Sequence, residues 1–224
     1  MPEFALKCDG VSFSYGAEAN VLTSCSASFE PGSLNYIVGP SGCGKSTLGL
    51  LLCGILTPES GKIVSAEGVN PTMVLQFPEN LFLTDSVEDE LSLLPDAGIE
   101  EHALSMLASF NLPFVDIAQK SPHRLSFGQR RLLAIAIQAS IGSKAVVLDE
   151  PTLGLDEAHL EEFSTWLKST LEDGVCSVVI THDMDLLRMR PGKVNILSQG
   201  QVKWFGDSEE FLLQDDLLQL AAAR

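Results

Sequence analysis

The segment from Gly39 to Thr47 carries the most specific chemical signature in the chain. It reads Gly39-Pro40-Ser41-Gly42-Cys43-Gly44-Lys45-Ser46-Thr47 and matches the pattern G-x-x-x-x-G-K-[ST] at every fixed position. It follows the apolar run Tyr36-Ile37-Val38 and opens a helix-like run, which is the context in which this pattern binds phosphate. Such a loop wraps a polyphosphate with successive backbone N–H groups, and its glycines let the backbone approach without a Cβ clash.

The residues that end this loop predict how the phosphates are held. Lys45 can reach the β- and γ-phosphates, and the Ser46 hydroxyl is placed to ligate Mg²⁺. The following helix adds about half a positive charge that faces the phosphates. A Gly-rich turn without a ligand is the alternative interpretation, but the flanking strand and helix favour nucleotide binding.

A second candidate for phosphate chemistry follows a later apolar strand. The run Ala145-Val146-Val147-Leu148 ends in Asp149-Glu150. This matches the second nucleotide motif of P-loop ATPases, in which Asp149 would hold Mg²⁺ directly or through water and Glu150 would polarise the attacking water. The alternative is an acidic turn at a strand end, which is less favoured beside an intact phosphate loop.

The chain is strongly acidic. Its 14 basic and 30 acidic side chains give a formal net charge of −16 at pH 7. A nucleic-acid-binding domain presents a basic face, and docking on anionic lipid gains about 1 kcal/mol for each Lys or Arg near the surface. The composition therefore argues against both partners, and any contact with a membrane is expected to go through another protein.

The N-terminus and the cysteines bear on the cellular compartment. The opening Met1-Pro2-Glu3-Phe4 lacks the basic and apolar regions of a signal peptide, and no run of about 18 apolar residues occurs. The five cysteines include no C-x-x-C pair, so reduced thiols are expected rather than a disulfide framework or a zinc site. These features predict a cytoplasmic protein.

The pattern of apolar residues predicts an α/β fold. The opening portion alternates as half-buried strands do, with a turn at 16–20, and predicts a small antiparallel sheet. Later strands are predicted at 34–38, 62–64, 73–75, 145–148, 178–180, 193–197 and 201–205. Helices are predicted over 47–53, 99–110, 132–141 and 158–171, with Ser86 as an N-cap and Pro113 as a helix stop. Alternating strands and helices indicate a mostly parallel sheet.

The expected organisation is one domain over residues 1–224. Residues 1–80 and 145–224 would form a P-loop NTPase core that carries an N-terminal antiparallel β-subdomain. Residues 81–144 would form an inserted helical subdomain.

A series of short motifs resembles, in order and approximate spacing, the ATP-binding subunits of ABC transporters. The resemblance covers essentially the whole chain, and the phosphate loop together with six further motifs in order is highly specific. They are Tyr15, Gly39 to Thr47, Gln76, Leu125 to Gln129, Asp149-Glu150, Gly154-Leu155-Asp156 and His182.

The resemblance implies a role for each matching residue. Tyr15 would stack on adenine, although an ordinary strand aromatic is the alternative. Gln76 would contact Mg²⁺ and the attacking water and relay to the membrane partner. The signature residues Ser126, Gly128 and Gln129 would cap the γ-phosphate of the ATP bound to an opposite subunit. Asp156 would cross the dimer interface, and His182 would contact the γ-phosphate.

Within the family, two segments resemble the ATPases of energy-coupling factor importers, which take up vitamins, cobalt and nickel in prokaryotes. The segments are Gln76 to Phe82 and Leu125 to Gln129. The resemblance implies a second ATPase subunit, identical or not, a transmembrane coupling protein and a small membrane-embedded substrate binder. It places the chain at the cytoplasmic face of the membrane. Only 30 residues separate Lys45 from Gln76, and Phe127 replaces the first glycine of the common signature.

Two rival functions retain every nucleotide motif. One is a soluble ABC ATPase with a role other than transport, and the other is the ATPase of another class of ABC transporter. A nucleotide kinase or GTPase fits poorly, because neither needs a signature helix or a switch histidine.

Cys43 supports a separate hypothesis about thiol reactivity. It lies in the phosphate loop beside a helix N-terminus and Lys45, an environment that is expected to lower the thiol pKa. A thiol reagent would then inactivate the ATPase, and bound ATP would protect it. The alternative is a small residue that the loop merely tolerates.

Overall fold

A computed structural model describes residues 3–16, 20–142 and 144–222. The central positions of the turn predicted at 16–20, residues 17–19, lie outside the described residues. The strands are β1 (Leu6–Phe13), β2 (Leu22–Phe29), β3 (Leu34–Val38), β4 (Ser60–Ser65), β5 (Thr72–Val74), β6 (Ala145–Asp149), β7 (Cys176–Ile180), β8 (Lys193–Ser198) and β9 (Gln201–Asp207). The helices are α1 (Lys45–Leu52), α2 (Val87–Ser92), α3 (Ala97–Ser109), α4 (Phe114–Ile117), α5 (Phe127–Ile141), α6 (Glu157–Glu172), α7 (Met184–Met189), α8 (Ser208–Leu213) and α9 (Asp215–Ala222).

The N-terminal portion forms a three-stranded antiparallel sheet in the order β2-β1-β4. Strand β1 buries Leu6, Cys8, Val11 and Phe13 and leaves the residues between them more exposed. Such alternation is typical of a strand with one face on the core. The predicted antiparallel sheet is confirmed, and β4 completes it from later in the chain.

A six-stranded sheet in the order β5-β6-β7-β3-β8-β9 forms the centre of the molecule. Its first five strands are parallel, and β9 runs antiparallel to β8. Every residue of β3, β6 and β7 is buried, because the sheet is covered on both faces. The α/β class with a mostly parallel sheet is therefore confirmed.

The register of the parallel strands determines where the site forms. Ile37 near the end of β3 and Asp149 at the end of β6 are both paired with Ile180 at the end of β7. Loops that follow neighbouring parallel strands emerge at the same edge of the sheet. The segments that begin at Gly39, Glu150 and Thr181 are thereby brought together.

Helices α2 to α5 lie between β5 and β6 in the chain, and the boundaries of α3 and α5 differ from the expectations. Helix α5 begins at Phe127 rather than Leu132, because Ser126 and Gln129 form a capping box at its start. Helix α3 ends at Ser109, before Pro113. Asn111 adopts φ 49°, a left-handed conformation that commonly terminates a helix, and Pro113 precedes α4 instead.

No helix within the described ranges is long and apolar enough to cross a membrane.

Candidate nucleotide site

The phosphate loop joins β3 to α1. Helix α1 begins at Lys45, and the preceding Gly44 adopts φ 104°, which an L side chain rarely tolerates. The Lys45 ammonium folds back onto the loop, where it donates hydrogen bonds to the carbonyl oxygens of Gly39 at 2.7 Å and Pro40 at 2.9 Å. The cation is thus already held inside the loop, close to where phosphate oxygens would replace these carbonyls.

Two glycines of the loop are required by close packing. A Cβ on Gly39 would lie 2.0 Å from the carbonyl oxygen of Leu197, and a Cβ on Gly44 would lie 2.9 Å from the Leu22 side chain. Both distances are shorter than van der Waals contact. Strand β8 and the start of β2 therefore press against the loop and hold its backbone in place.

Cys43 does not have the lowered thiol pKa that the sequence predicts. Burial raises the pKa of the Cys43 thiol, and Lys45 and nearby backbone N–H groups only partly offset that rise. The prediction is wrong because the sulfur lies within the folded loop, next to Gly39, where desolvation of the thiolate outweighs the nearby cation.

Asp149 and Ser46 meet at the end of β6. The Ser46 hydroxyl lies beside the Asp149 carboxylate, which is 5% exposed. Burial raises the pKa of Asp149, while the Ser46 hydroxyl and the charge of Lys45 oppose the rise. Carboxylate and hydroxyl oxygens are ligands that Mg²⁺ prefers. The donor set fits this ion.

Glu150 and His182 form a second pair beside the first. One carboxylate oxygen of Glu150 accepts hydrogen bonds from the Thr181 hydroxyl at 3.2 Å and the His182 backbone N–H at 3.3 Å. The other lies 3.6 Å from Nε2 of His182. Burial raises the pKa of Glu150, and His182 and its backbone N–H lower it. A carboxylate held in this way is suited to accept a proton.

Gln76 and Tyr15 lie on other parts of the same region. Gln76 follows β5, which is the neighbour of β6 in the sheet, and its side chain is exposed. The Tyr15 hydroxyl lies 3.3 Å from the Thr47 hydroxyl at the start of α1, and the Tyr15 ring packs edge-on against Phe13. Tyr15 is 47% exposed, so its ring has a free surface next to the phosphate loop.

The signature residues lie on the turn at the start of α5, where Ser126 is exposed, Gln129 is half-buried and Gly128 is buried. The Ser126 hydroxyl accepts a hydrogen bond from the Gln129 N–H at 3.2 Å, and the Gln129 side chain accepts one from the Ser126 N–H at 3.2 Å. A Cβ on Gly128 would lie 2.7 Å from the His159 ring, and one on Gly154 would lie 2.5 Å from the Phe127 ring. The turn therefore packs tightly on the segment 154–159.

That neighbouring segment includes Asp156. Its carboxylate accepts from the His159 N–H at 3.0 Å and lies 2.7 Å from the ring nitrogen Nδ1 of His159. These hydrogen bonds lower the pKa of Asp156. Asp156 and the signature turn are thus parts of one surface, in contact through His159.

Sequence reasoning missed Arg131, which makes hydrogen bonds to the backbone of both Gln76 and Glu150. A signal was present, because an arginine directly precedes the long apolar run of α5. It also missed Thr181, which donates to Glu150. Thr181 directly precedes His182, and a hydroxyl beside a proposed catalytic histidine is a recognisable candidate.

The fold and the loop define a P-loop ATPase, and comparison with known proteins identifies the family. A family model described as ABC transporter matches residues 22–153. A Pyrococcus furiosus protein named as an ABC transporter ATP-binding protein is 33% identical, over 94% of this chain and 86% of its own length. The chain belongs to the ABC transporter ATP-binding family and is an ATPase of that family.

Two further similarities concern energy-coupling factor proteins. The energy-coupling factor transporter ATP-binding protein EcfA of Methanococcus maripaludis is 28% identical, over 98% of this chain and 85% of its own length. The solved structure of cbiO1 from Clostridium perfringens, described as part of the ABC transporter complex cbiONQ, is 26% identical. It superimposes with a TM-score of 0.80 over 97% of this chain and 94% of that chain. The chain therefore resembles energy-coupling factor ATPases.

Proposed function

We propose that this chain is the ATP-hydrolysing subunit of a membrane importer of the energy-coupling factor type, which carries a vitamin or a transition-metal ion. The observation that carries the proposal is the convergence of two polar pairs, Ser46 with Asp149 and Glu150 with His182, at the sheet edge beside the phosphate loop. The similarity to EcfA and to cbiO1 supports the importer type.

In this proposal each residue of the phosphate side has one task. Lys45 leaves the carbonyl oxygens of Gly39 and Pro40 and binds the β- and γ-phosphates of ATP. Ser46 and Asp149, with Gln76, would hold Mg²⁺, and the ion would supply positive charge that neutralises the phosphates. The remaining residues of the loop, Ser41, Gly42, Cys43, Gly44 and Thr47, contribute backbone N–H groups, and Tyr15 stacks on adenine.

The hydrolytic step depends on Glu150. Its carboxylate takes the proton of the water that attacks the γ-phosphate, and the hydrogen bonds from Thr181 and His182 hold it in the orientation required. His182 remains within reach of both the carboxylate and the γ-phosphate. Gln76 orients the attacking water from the neighbouring strand.

The second half of each site comes from another ATPase subunit. Ser126, Gly128 and Gln129 lie at the start of the 15-residue helix α5, whose N-terminus favours an anion. In a head-to-tail dimer this turn caps the γ-phosphate bound by the opposite phosphate loop, and Asp156 lies in the interface. Because one chain carries both halves, two identical copies are sufficient.

A cluster of exposed apolar side chains marks the proposed contact with a transmembrane coupling protein. This partner-facing surface consists of Phe77, Leu81 and Leu83, which are 47%, 50% and 81% exposed. The buried Glu90 carboxylate fixes the loop beneath it by accepting hydrogen bonds from the N–H groups of Leu83 and Thr84, both at 3.0 Å. Apolar groups that are presented on a fixed loop favour protein docking.

Affinity purification from detergent-solubilised native membranes tests the proposal. We expect the tagged chain to recover a polytopic coupling protein and a small polytopic substrate binder, identified by mass spectrometry. Recovery of soluble proteins alone would contradict the importer assignment and favour a role other than transport.

A pair of matched variants tests whether the partner-facing surface contacts the membrane proteins. Leu83→Asp is expected to abolish recovery of the membrane proteins and to leave ATP hydrolysis intact, because the side chain is exposed. Leu213→Asp is the control, since Leu213 is 85% exposed and lies on α8. If both variants recover the membrane proteins equally well, the partner-facing surface is wrongly assigned.

A further inference from the structure

Arg131 is the largest side chain in the described chain that is fully withdrawn from solvent. It is 0% exposed and lies in the first turns of α5, just before a run of apolar residues. A buried guanidinium is costly unless its donors are paired. The contacts of Arg131 therefore indicate what the chain gains from burying it.

The guanidinium hydrogen-bonds to four groups. Its Nε donates to the Pro151 carbonyl oxygen at 2.9 Å, and one terminal nitrogen donates to the Glu79 carboxylate at 3.2 Å. The other terminal nitrogen donates to the carbonyl oxygens of Gln76, at 2.9 Å, and Glu150. Three of the four acceptors are thus backbone carbonyls in the segments that carry the proposed base and the proposed water-orienting glutamine.

Arg131 supports backbone whose local conformation is unfavourable by itself. Glu150 adopts φ 47°, a left-handed conformation that is uncommon for a residue with a side chain. Arg131 binds the carbonyl of this residue and the carbonyl of the residue after it. The same side chain fixes the end of the segment that follows β5. One rigid planar group therefore sets the separation between Glu150 and Gln76.

The fourth acceptor extends the connection to the protein surface. Glu79 is 6% exposed and lies in the 3₁₀ turn Pro78–Leu81. The residues on either side of it in the chain include Phe77 and Leu81, which belong to the partner-facing surface. A displacement of this turn moves the Glu79 carboxylate. Because Arg131 donates a hydrogen bond to that carboxylate, the guanidinium is displaced with it.

We propose that Arg131 is a positioning residue that holds Glu150 and Gln76 in register and transmits movement of the turn Pro78–Leu81 to the hydrolytic base through Glu79. The transmitting role rests on the proposed function, whereas the positioning role requires only the ATPase activity. Arg131 touches neither nucleotide nor water in this account. Its removal is therefore expected to change turnover and not ATP affinity.

Arg131→Lys tests the positioning role. A lysine keeps the charge but presents its donors from one atom, so it cannot span acceptors that a planar guanidinium reaches. We expect kcat for ATP to fall about 10- to 100-fold, because small displacements of a catalytic group have effects of this size. KM is expected to stay within about two-fold, whereas the melting temperature is expected to fall, because some buried acceptors of the guanidinium lose their donor.

Arg188→Lys is the matched control, because Arg188 is 61% exposed and, among the described residues, forms its ion pair with Asp185 at the surface. It should leave kcat unchanged. An Arg131→Lys protein that folds and turns over at the parental rate would overturn the proposal. Loss of ATP affinity in parallel with kcat would also overturn it, since that is the result of a general structural role.

A double-mutant cycle with Glu79→Gln tests the connection and does not depend on recovery of a membrane partner. Glu79→Gln is expected to lower kcat less than Arg131→Lys, with KM unchanged. In the Arg131→Lys background it should have no further effect, because residues that act through one another are not additive. Independent, additive effects of the two substitutions on kcat would overturn the coupling of Glu79 to Glu150 through Arg131. If Arg131→Lys does not fold, a Glu79→Gln protein with the parental kcat would overturn it instead. Failure to recover membrane proteins would instead overturn the importer assignment and the partner-driven movement of the turn, and it would leave the positioning role of Arg131 untouched.

Discussion

Glu150 combines an unusual backbone conformation with a carboxylate that is only 15% exposed. Its φ of 47° directs the side chain toward Thr181 and His182, which hold one carboxylate oxygen through two hydrogen bonds. Backbone conformations of this kind cost about 1–3 kcal/mol and persist where the surrounding structure fixes them. Here the Ile180 carbonyl, which accepts from the Glu150 N–H at 2.8 Å, and Arg131 provide that fixation.

Cys43 is expected to react slowly with thiol reagents near neutral pH. Burial raises its thiol pKa, so the reactive thiolate is scarcer at pH 7 than in an unfolded chain and becomes abundant only as pH rises through the folded value. Labelling by iodoacetamide, followed by peptide mass spectrometry at pH 7 and pH 9, measures this. We expect Cys43 to react more slowly than a free cysteine peptide at pH 7. If Cys43 is labelled faster than the peptide, the result would instead support the lowered thiol pKa that the sequence predicts.

Gly39→Ala is expected to damage both stability and ATP binding. The new Cβ would meet the Leu197 carbonyl oxygen at 2.0 Å, which forces the loop or β8 to move and costs about 3 kcal/mol. Denaturant unfolding and nucleotide titration measure the two effects. Gly54→Ala is the control, because Gly54 has φ 68° but open space around it, so only backbone strain of about 1–2 kcal/mol is expected. Equal losses in the two variants would contradict the packing argument.

At the residue scale, local motifs predict positions but not the contacts between distant segments. The pattern from Gly39 to Thr47 identifies the phosphate loop, because its chemistry is confined to nine consecutive residues. The surroundings of Cys43 are different. Its pKa depends on burial, and burial is decided by strands elsewhere in the chain. Arg131 was missed for the same reason, since its acceptors come from two segments that only folding brings together.

At the scale of elements, the N-terminus of α5 has two tasks. Ser126 caps the helix through its hydrogen bond with the Gln129 N–H, and its hydroxyl also lies on the proposed dimer surface. Helix α3 has a comparable cap, in which Asp96 accepts from the N–H groups of Gly98 at 2.9 Å and Ile99 at 3.0 Å. Comparing substitutions at the two caps therefore distinguishes an effect on stability from an effect on dimer formation.

Ser126→Ala and Asp96→Ala are each expected to cost about 1 kcal/mol of unfolding free energy, because each leaves helix N–H groups without an acceptor. Only Ser126→Ala is expected to weaken ATP-dependent pairing of subunits. Denaturant unfolding and sedimentation with ATP measure the two properties. Equal pairing by both variants would show that the signature turn does not face the opposite ATP.

A helix boundary is predictable from the sequence where its capping residues lie within a few positions of one another. Ser126 and Gln129 have the S-x-x-Q spacing of a capping box, and this signal would have placed the start of α5 correctly. The polar run of Gln129, Arg130 and Arg131 obscured it, because a polar run suggests a loop. The end of α3 was harder to predict. It depends on the left-handed Asn111, a conformation to which the sequence gives only a weak clue.

At the scale of the molecule, alternating strands and helices predict the α/β class but not the order of strands. Strand β3 lies between β7 and β8, which follow it by more than a hundred residues. This order creates the edge where the phosphate loop, Asp149, Glu150 and His182 meet. It could be expected only from the family resemblance, because periodicity does not specify which strands become neighbours.

The most direct test of the account is the sedimentation of Glu150→Gln with and without ATP and Mg²⁺. A glutamine keeps an oxygen that accepts from Thr181 and His182 but cannot take a proton from water, so turnover is expected to fall about 10²- to 10⁴-fold while ATP still binds. We expect the variant to convert from one copy to a stable pair when ATP is added, and the parent protein to pair only transiently. A variant that remains a single copy with ATP bound, or that hydrolyses ATP at the parental rate, would contradict the assignment of Glu150 as the base of a shared ATP site.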